Sequence, residues 1–199
     1  MIRVSITGAV AALCLVVSPA AAEPFEMFST ACMENDARRD AVAASMAKAG
    51  WFLLPDEELK AFESEGISDA SVYFGSDPES AAEPSTVEAV MMGWASADSF
   101  VALAGLGVEF CAVMSSVGDK PTLDRKMERM FGFPPTDIDA DQVWLISREA
   151  DRYSPAPPFM DLPEADMAAM ARKHDLYIAA TIIEDGMTIT IVGAIRPLA

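Results

Sequence analysis

The sequence reads LYIAATIIEDGMTITIVGAI at residues 176–195, and this stretch carries the clearest structural signal in the chain. Two apolar segments rich in β-branched residues are joined by Asp185-Gly186, a dipeptide that favours a type I′ turn of two residues. The turn predicts a β-hairpin over residues 176–195. It also predicts the register, in which Ile182 lies opposite Ile189 and Ile183 lies opposite Thr188.

The two faces of this hairpin differ in their side chains. One face is aliphatic and carries Ile178, Ala180, Ile182, Ile189, Ile191 and Gly193. The other face includes the pair Thr181 and Thr190 together with Ile183 and Thr188. Because apolar side chains are the ones that gain from burial, we predict that the aliphatic face points into the core.

The rest of the chain alternates between helix and strand signals. Helices are predicted at residues 31–49, with Ser29 or Thr30 as the N-cap, and at 55–66, 120–131 and 163–173. Buried strands are predicted at residues 87–95, 108–117 and 142–148, and a Pro-rich turn at 153–158. A Gly, Ser and Pro-rich segment near residues 75–86 predicts a mobile surface loop.

These signals predict one α+β domain over residues 23–199. Its antiparallel sheet ends in the hairpin at 176–195 and is covered by helices on one face. A parallel βαβ arrangement is the alternative, and the closing hairpin counts against it.

Residues 1–22 have the pattern of a secretory signal peptide. Arg3 supplies a positive start, residues 6–17 are apolar, and Ala20-Ala21-Ala22 offers small residues before Glu23. The apolar run is too short for a bilayer-spanning helix. We therefore predict cleavage after Ala22, no membrane insertion afterwards, and a periplasmic or secreted protein.

The chain is strongly acidic, with 31 Asp and Glu against 14 Lys and Arg and a formal net charge of −17. Loss of residues 1–22 removes Arg3 and no acid, so the cleaved chain is one unit more negative. Such a charge repels phosphate backbones, which argues against nucleic acid as a partner. A cationic protein or a small molecule is a possible partner, and a merely solvated acidic surface is the simpler explanation.

Cleavage leaves two cysteines, Cys32 and Cys111. Two is the smallest number that can form a disulfide, and no thiol is then left over. We predict a disulfide between them, because export places them in an oxidising compartment. Two buried free thiols are the alternative. Redox catalysis is poorly supported, since the two residues do not form a C-x-x-C motif.

The chain offers little catalytic or metal-binding equipment. His174 is the single histidine, and its place at the end of a predicted helix beside Arg172 and Lys173 is explained by the helix dipole. No G-x-S-x-G motif is present, so a Ser-His-Asp enzyme is not indicated. The run Asp137-x-Asp139-x-Asp141 resembles the start of a calcium loop but lacks its later glycine and glutamate.

Methionines occur in pairs three residues apart at Met127/Met130 and Met167/Met170, a spacing that could hold Cu(I) but that suits a core face equally well. We predict no catalytic residues, no metal ligands and no cofactor. The resulting hypothesis is an exported binding or interaction module. A carboxylate-based hydrolase is the alternative, and copper handling by methionines is a third option.

Overall fold

The structure is a computed structural model that describes residues 23–63, 67–75, 88–95, 106–138, 141–150, 152–156 and 162–197. Its helices are α1 (Pro24–Met27), α2 (Arg39–Lys48), α3 (Asp56–Glu63), α4 (Lys120–Phe131) and α5 (Glu164–Lys173), and a π-helix (Phe28–Met33) follows α1 directly. Its strands are β1 (Phe52–Leu53), β2 (Ile67–Phe74), β3 (Glu88–Ala95), β4 (Leu106–Ser115), β5 (Thr136–Ile138), β6 (Asp141–Glu149), β7 (Arg152–Pro155), β8 (Asp175–Glu184) and β9 (Met187–Pro197). These elements confirm the predicted α+β class.

Within the described residues, nine strands form one sheet: eight follow the order β1-β2-β3-β4-β9-β8-β6-β5, and the ninth, β7, pairs with β6. Every neighbouring pair is antiparallel, so the parallel alternative is wrong. Strand β6 shares its outer edge between two partners, because β5 pairs with its first residues and β7 with its last. Strand β9 lies in the middle of the sheet, between β4 and β8.

Strands β8 and β9 form the predicted hairpin in the predicted register. Ile182 lies opposite Ile189, and Ile183 lies opposite Thr188. Asp185 and Gly186 both have positive φ angles, of 50° and 79°, as a type I′ turn requires. The dipeptide between the two apolar segments therefore sets the pairing of the strands.

The predicted core side of the hairpin is wrong. The main core lies on the opposite side of the sheet, which carries Cys111, Trp144, Tyr177, Ala179 and Val192 and which we call the helical face. Helix α1, the π-helix, α2 and α4 supply its other members, Phe28, Val42, Met127 and Phe131 among them. The aliphatic face of the hairpin is less covered, since Ile182 is 36% exposed and Ile191 is half-buried.

The disulfide between Cys32 and Cys111 is formed, as predicted. It joins the π-helix to β4 inside the core of the helical face, and neither cysteine is exposed to solvent. The two residues are 79 positions apart, so the bond attaches the beginning of the described chain to the middle of the sheet.

The single helix predicted at residues 31–49 is also wrong. The chain turns at residues 34–37 between the π-helix and α2, and Asp36 and Ala37 have φ angles of 61° and 52°. Two consecutive left-handed residues cannot continue a right-handed helix. Asn35 stabilises the break, because its side-chain Nδ2 donates to the carbonyl oxygens of Thr30 and Ala31.

The other helices agree more closely with the sequence. Helix α4 begins after Asp119, whose carboxylate accepts from the Thr122 amide, and ends at Gly132 with a φ of 81°. Helix α3 packs by Leu59 and helix α5 packs by Ala168 and Ala171 on the aliphatic side of the sheet. Helices therefore cover part of both faces, whereas the sequence predicted helices on one face.

One further predicted segment differs from the structure, and two others lie outside the described residues. The turn predicted at 153–158 begins as strand β7, which includes Tyr153. Apart from Gly75, the loop near 75–86 lies outside the described residues, as does the signal sequence at 1–22. Among the residues that are described, no helix is long and apolar enough to cross a bilayer.

Candidate functional site

A network of charged and polar side chains lies at one end of the core on the helical face. It consists of Asp36, Glu109, Arg148, Tyr177 and Arg196, and we call it the ion network. Asp36 lies at its centre: its carboxylate accepts from the Tyr177 hydroxyl, lies 2.9 Å from Arg148 Nη2 and lies 3.2 Å from Arg196 Nη2. Arg196 Nη2 also donates to the backbone carbonyl oxygen of Asp36, at 2.6 Å. The left-handed turn is thereby attached to β6, β8 and β9.

Glu109 extends the ion network to α2. Its Oε2 accepts from Arg196 Nε at 2.8 Å, and its Oε1 accepts from the backbone amide of Arg39 at 2.7 Å. Because Arg39 is the first residue of α2, Glu109 satisfies an amide that the helix itself cannot pair. Arg196 therefore bridges two carboxylates, and each carboxylate fixes a different part of the N-terminal segment.

The electrostatics of the ion network follow from partial burial combined with opposite charge. Burial raises the pKa of Asp36, but the hydrogen bond from Tyr177 and the charges of Arg148 and Arg196 outweigh it, and the pKa lies below its ordinary value of 3.8. Burial and the nearby Asp36 carboxylate raise the pKa of Tyr177 well above its ordinary value. At neutral pH Asp36 is thus ionised and Tyr177 is a hydrogen-bond donor.

This arrangement bears on the hydrolase hypothesis. A catalytic acid needs a raised pKa so that it still holds its proton at neutral pH, and the pKa of Asp36 is lowered. Asp36 and Glu109 are also absent from the described residues that line the two cavities considered next. The ion network attaches the N-terminal segment to the sheet, and Asp36 does not hold a proton at neutral pH.

A cleft of about 420 Å³ lies beside the ion network, where α5 ends and β8 begins. The residues that line it are Arg148, Glu149, Ala171, Arg172, Lys173, His174 and Asp175. His174 follows the last residue of α5, as predicted, and its amide donates to the Met170 carbonyl oxygen. Its Nδ1 lies 3.8 Å from the exposed carboxylate of Glu149.

A second cavity, which we call the slot, lies on the aliphatic face of the sheet and has a volume of about 260 Å³. Its walls come from β4, β6, β8 and β9, and its lining residues are Val108, Phe110, Asp141, Val143, Ile178, Ala180, Ile182, Ile191 and Gly193. Gly193 allows the Val108 side chain to pack against the backbone of β9, because a Cβ at this position would lie 2.5 Å from Val108 Cγ1. The predicted core face of the hairpin is therefore the wall of a cavity.

The methionine pairs do not form one cluster. Met127 is fully buried on the helical face, and its sulfur accepts from the Thr181 hydroxyl at 3.2 Å. Met130 packs beside the same core, whereas Met170 packs on the opposite face beside Leu176. The side chain of Met167 lies outside the described residues.

The acidic run at residues 137–141 falls on the β5–β6 hairpin. Asp137 lies opposite Gln142, and Asp141 lies opposite Ile138 and contributes to the slot. Asp139 is not among the described residues. In the part of the chain that is described, no three His, Cys, Asp or Glu side chains are grouped closely enough to hold a metal ion.

Sequence reasoning missed the ion network, whose members are up to 160 positions apart, as Asp36 and Arg196 are. One signal was available. Glu109 lies within an apolar predicted strand and Arg148 is the last residue of another, and a charged residue there needs a charged partner if it is buried. The slot could not be inferred, because it depends on which face the helices leave uncovered.

Compared with protein-family models, curated proteins and solved structures, the chain gives no match in any of the three.

Proposed function

We propose that this protein is an exported binding module, and that its ligand is a cationic polypeptide with one apolar side chain held in the slot. The observation that carries the proposal is an apolar cavity on an otherwise acidic chain with a net charge of −17. An exposed apolar concavity costs free energy unless a ligand covers it, which is why such sites mark binding surfaces.

The size of the slot supports a side chain as the occupant. Pockets for drug-sized molecules measure roughly 300–1,000 Å³, and the slot, at about 260 Å³, lies just below that range. Ile182 on the rim is 36% exposed and would become covered when a side chain enters. Burial of one large aliphatic or aromatic side chain contributes about 1.5–3 kcal/mol.

The charge around the slot supports a cationic partner. Asp141 lines the slot itself and is exposed. Glu184 lies two residues beyond Ile182 on the same face of β8 and is also exposed. A Lys or Arg next to the apolar side chain of the ligand would face these carboxylates, which fits the expectation of a cationic partner.

The proposal is tested by titrating the protein with a fluorescently labelled peptide of alternating Leu and Lys residues. We expect saturable binding, and weaker binding of a Ser and Lys peptide that lacks apolar side chains. Ala180→Leu fills the slot and should weaken binding of the Leu and Lys peptide about tenfold or more. Ala169→Leu is the matched control, because Ala169 is an exposed residue of α5. Equal affinities for the two variants would refute the slot as the binding site.

The charge contribution is tested by Asp141→Asn against Asp137→Asn. Both changes remove one exposed carboxylate from the β5–β6 hairpin, but Asp137 and Asp141 lie on opposite faces. We expect Asp141→Asn to weaken binding about threefold and Asp137→Asn to leave it nearly unchanged. Equal losses would mean that only the net charge of the chain matters.

Export is the second part of the proposal. A buried disulfide supports an oxidising compartment, because such bonds are rare in the reducing cytosol. Intact mass measured without reductant on protein from its native host should give a chain that starts at Glu23 and lacks two hydrogens. A chain that starts at Met1, or one with free thiols, would overturn this part.

A further inference from the structure

We propose that the cleft is an anion site, which binds a phosphate group through Arg148, Lys173 and His174. The inference stands independently of the slot, which lies on the aliphatic face and is lined by different residues. It rests on three observations: the fixed position of Arg148, the exposed carboxylate of Asp175 beside it, and the cations at the end of α5.

Arg148 is held in place before any ligand arrives. Its Nη2 lies 2.9 Å from Asp36, and its guanidinium lies over the Tyr177 ring at 5.2 Å from the ring centre. Its side chain is only 22% exposed, yet it lines the cleft. A guanidinium fixed in this way loses little entropy on binding, and its planar fork matches the oxygens of a phosphate group.

Asp175 shows where an anionic oxygen can lie. Its Oδ2 approaches Arg148 Nη2 at 3.4 Å, and its side chain is 58% exposed. An ion pair this long and exposed contributes little, so a better anion can displace it. A phosphate oxygen at the same place would keep Arg148 paired with a negative charge.

The end of α5 supplies further positive charge. Arg172, Lys173 and His174 are consecutive, all three line the cleft, and Lys173 is exposed. The opposing carboxylates of the cleft are Glu149 and Asp175, and Glu149 is 74% exposed and therefore well screened by solvent. The three permanent cations that line the cleft outnumber its two carboxylates, which favours an anion there over a cation.

The volume of the cleft, about 420 Å³, leaves room for a substituent on the phosphate group. The ligand class is therefore either free phosphate or a phosphate monoester. Inorganic phosphate and phenyl phosphate are the probes that distinguish these two sources.

His174 makes the test direct, because it is the single histidine of the chain. Its ring signals in a proton–carbon NMR spectrum of untagged protein report on the cleft alone. We expect a saturable shift with inorganic phosphate at constant pH and ionic strength, and a saturable shift at lower concentration with phenyl phosphate if the site takes monoesters. A shift that sodium chloride reproduces, or one that rises linearly without saturation, would overturn the proposal.

Two substitutions should move the affinity in opposite directions. Lys173→Gln removes a cation and should weaken phosphate binding about threefold, whereas Asp175→Asn removes the competing carboxylate and should tighten it by a similar factor. The matched controls are Lys48→Gln, in the last turn of α2, and Asp137→Asn, on β5, which change the charge by the same amounts elsewhere. Unchanged urea midpoints establish that the variants are folded. Equal effects in the variants and their controls would mean that phosphate senses only the overall charge.

Discussion

The two faces of the sheet are built from the same strands, yet they are stabilised in different ways. The helical face buries Trp144, Tyr177 and Val192 under helices, and it contains the disulfide and the ion network. The aliphatic face carries more isoleucine in the hairpin but leaves Ile182 and Ile191 partly open to solvent. Hydrophobicity of a strand face therefore does not decide which face becomes the core. The deciding factor is where the helices can be attached.

Several buried polar side chains on the helical face have hydrogen-bond partners. The Thr188 hydroxyl donates to the Gly118 carbonyl oxygen at 2.7 Å, and the Trp144 Nε1 donates to the Phe133 carbonyl oxygen at 3.1 Å. A buried hydroxyl with a hydrogen bond costs little, so threonines can line a core. On the aliphatic face, the described apolar side chains pack into two further clusters.

Among the changes that test this difference between the faces, loss of the disulfide should have the largest effect on the free energy of unfolding. Replacement of Cys32 and Cys111 by Ala together should lower the free energy of unfolding by about 4 kcal/mol, because the bond closes a long loop in the unfolded chain. Urea denaturation followed by tryptophan fluorescence measures the loss. A decrease below about 1 kcal/mol would mean that the ion network alone attaches the N-terminal segment.

Replacement of a methionine by alanine on each face compares how much packing contributes to the free energy of unfolding on the two faces. Met127→Ala, at a fully buried position of the helical face, should cost about 3 kcal/mol, and Met114→Ala, half-buried on the aliphatic face, about 1 kcal/mol. Both values come from urea denaturation. Similar losses at the two positions would contradict the difference in packing between the faces.

Removal of the central charge tests the ion network. Asp36→Asn should cost about 2 kcal/mol at neutral pH, since hydrogen bonds to a charged acceptor are lost. The pKa of Asp36 is lower in the folded protein than in the unfolded chain. The unfolded chain therefore takes up the proton first as the pH falls, and the stabilisation, complete above about pH 4, is lost below it.

The measurement is stability against urea between pH 2 and pH 7. The wild-type curve should fall more steeply than that of Asp36→Asn below about pH 4. Parallel curves would show that other carboxylates, and not Asp36, link protonation to unfolding.

The smallest effect belongs to the rim of the slot. Ile182→Ala should change the free energy of unfolding by about 0.5 kcal/mol, because the side chain is already partly exposed. Ile183→Ala, at a residue that is 62% exposed on the other side of the strand, should change it by less. Thermal denaturation of both variants provides the comparison, and a loss above about 2 kcal/mol at Ile182 would show that the slot wall belongs to the core.

Local signals in the sequence predicted the local parts of the fold. Asp185-Gly186 sets the hairpin register, and Gly132 ends α4 at the expected place, because both depend on backbone preferences of one or two residues. The break at Asp36 is stabilised locally by Asn35, but it also depends on Arg148, Tyr177 and Arg196, which reach it from three strands. No window of neighbouring residues contains these three contacts.

The candidate sites were harder to predict for the same reason. Cys32 and Cys111 could be paired because a chain with two remaining cysteines offers one choice. His174 and Lys173 adjoin in sequence, but Arg148 joins them only through the pairing of β6 with β8. The slot requires four strands in register, and this register places Gly193 opposite both Phe110 and Ile178.

The central position of β9 has a consequence for how the chain is assembled. Strand β9 is the last described strand, yet it pairs with β4 and with β8 along nearly its whole length. Any machinery that delivers the chain from its amino end, a ribosome or a translocation channel, releases this strand after the other described strands. Until then β4 and β8 have no common partner, and Asp36 lacks Arg196. The two halves of the sheet therefore stay separate until β9 is delivered and joins them.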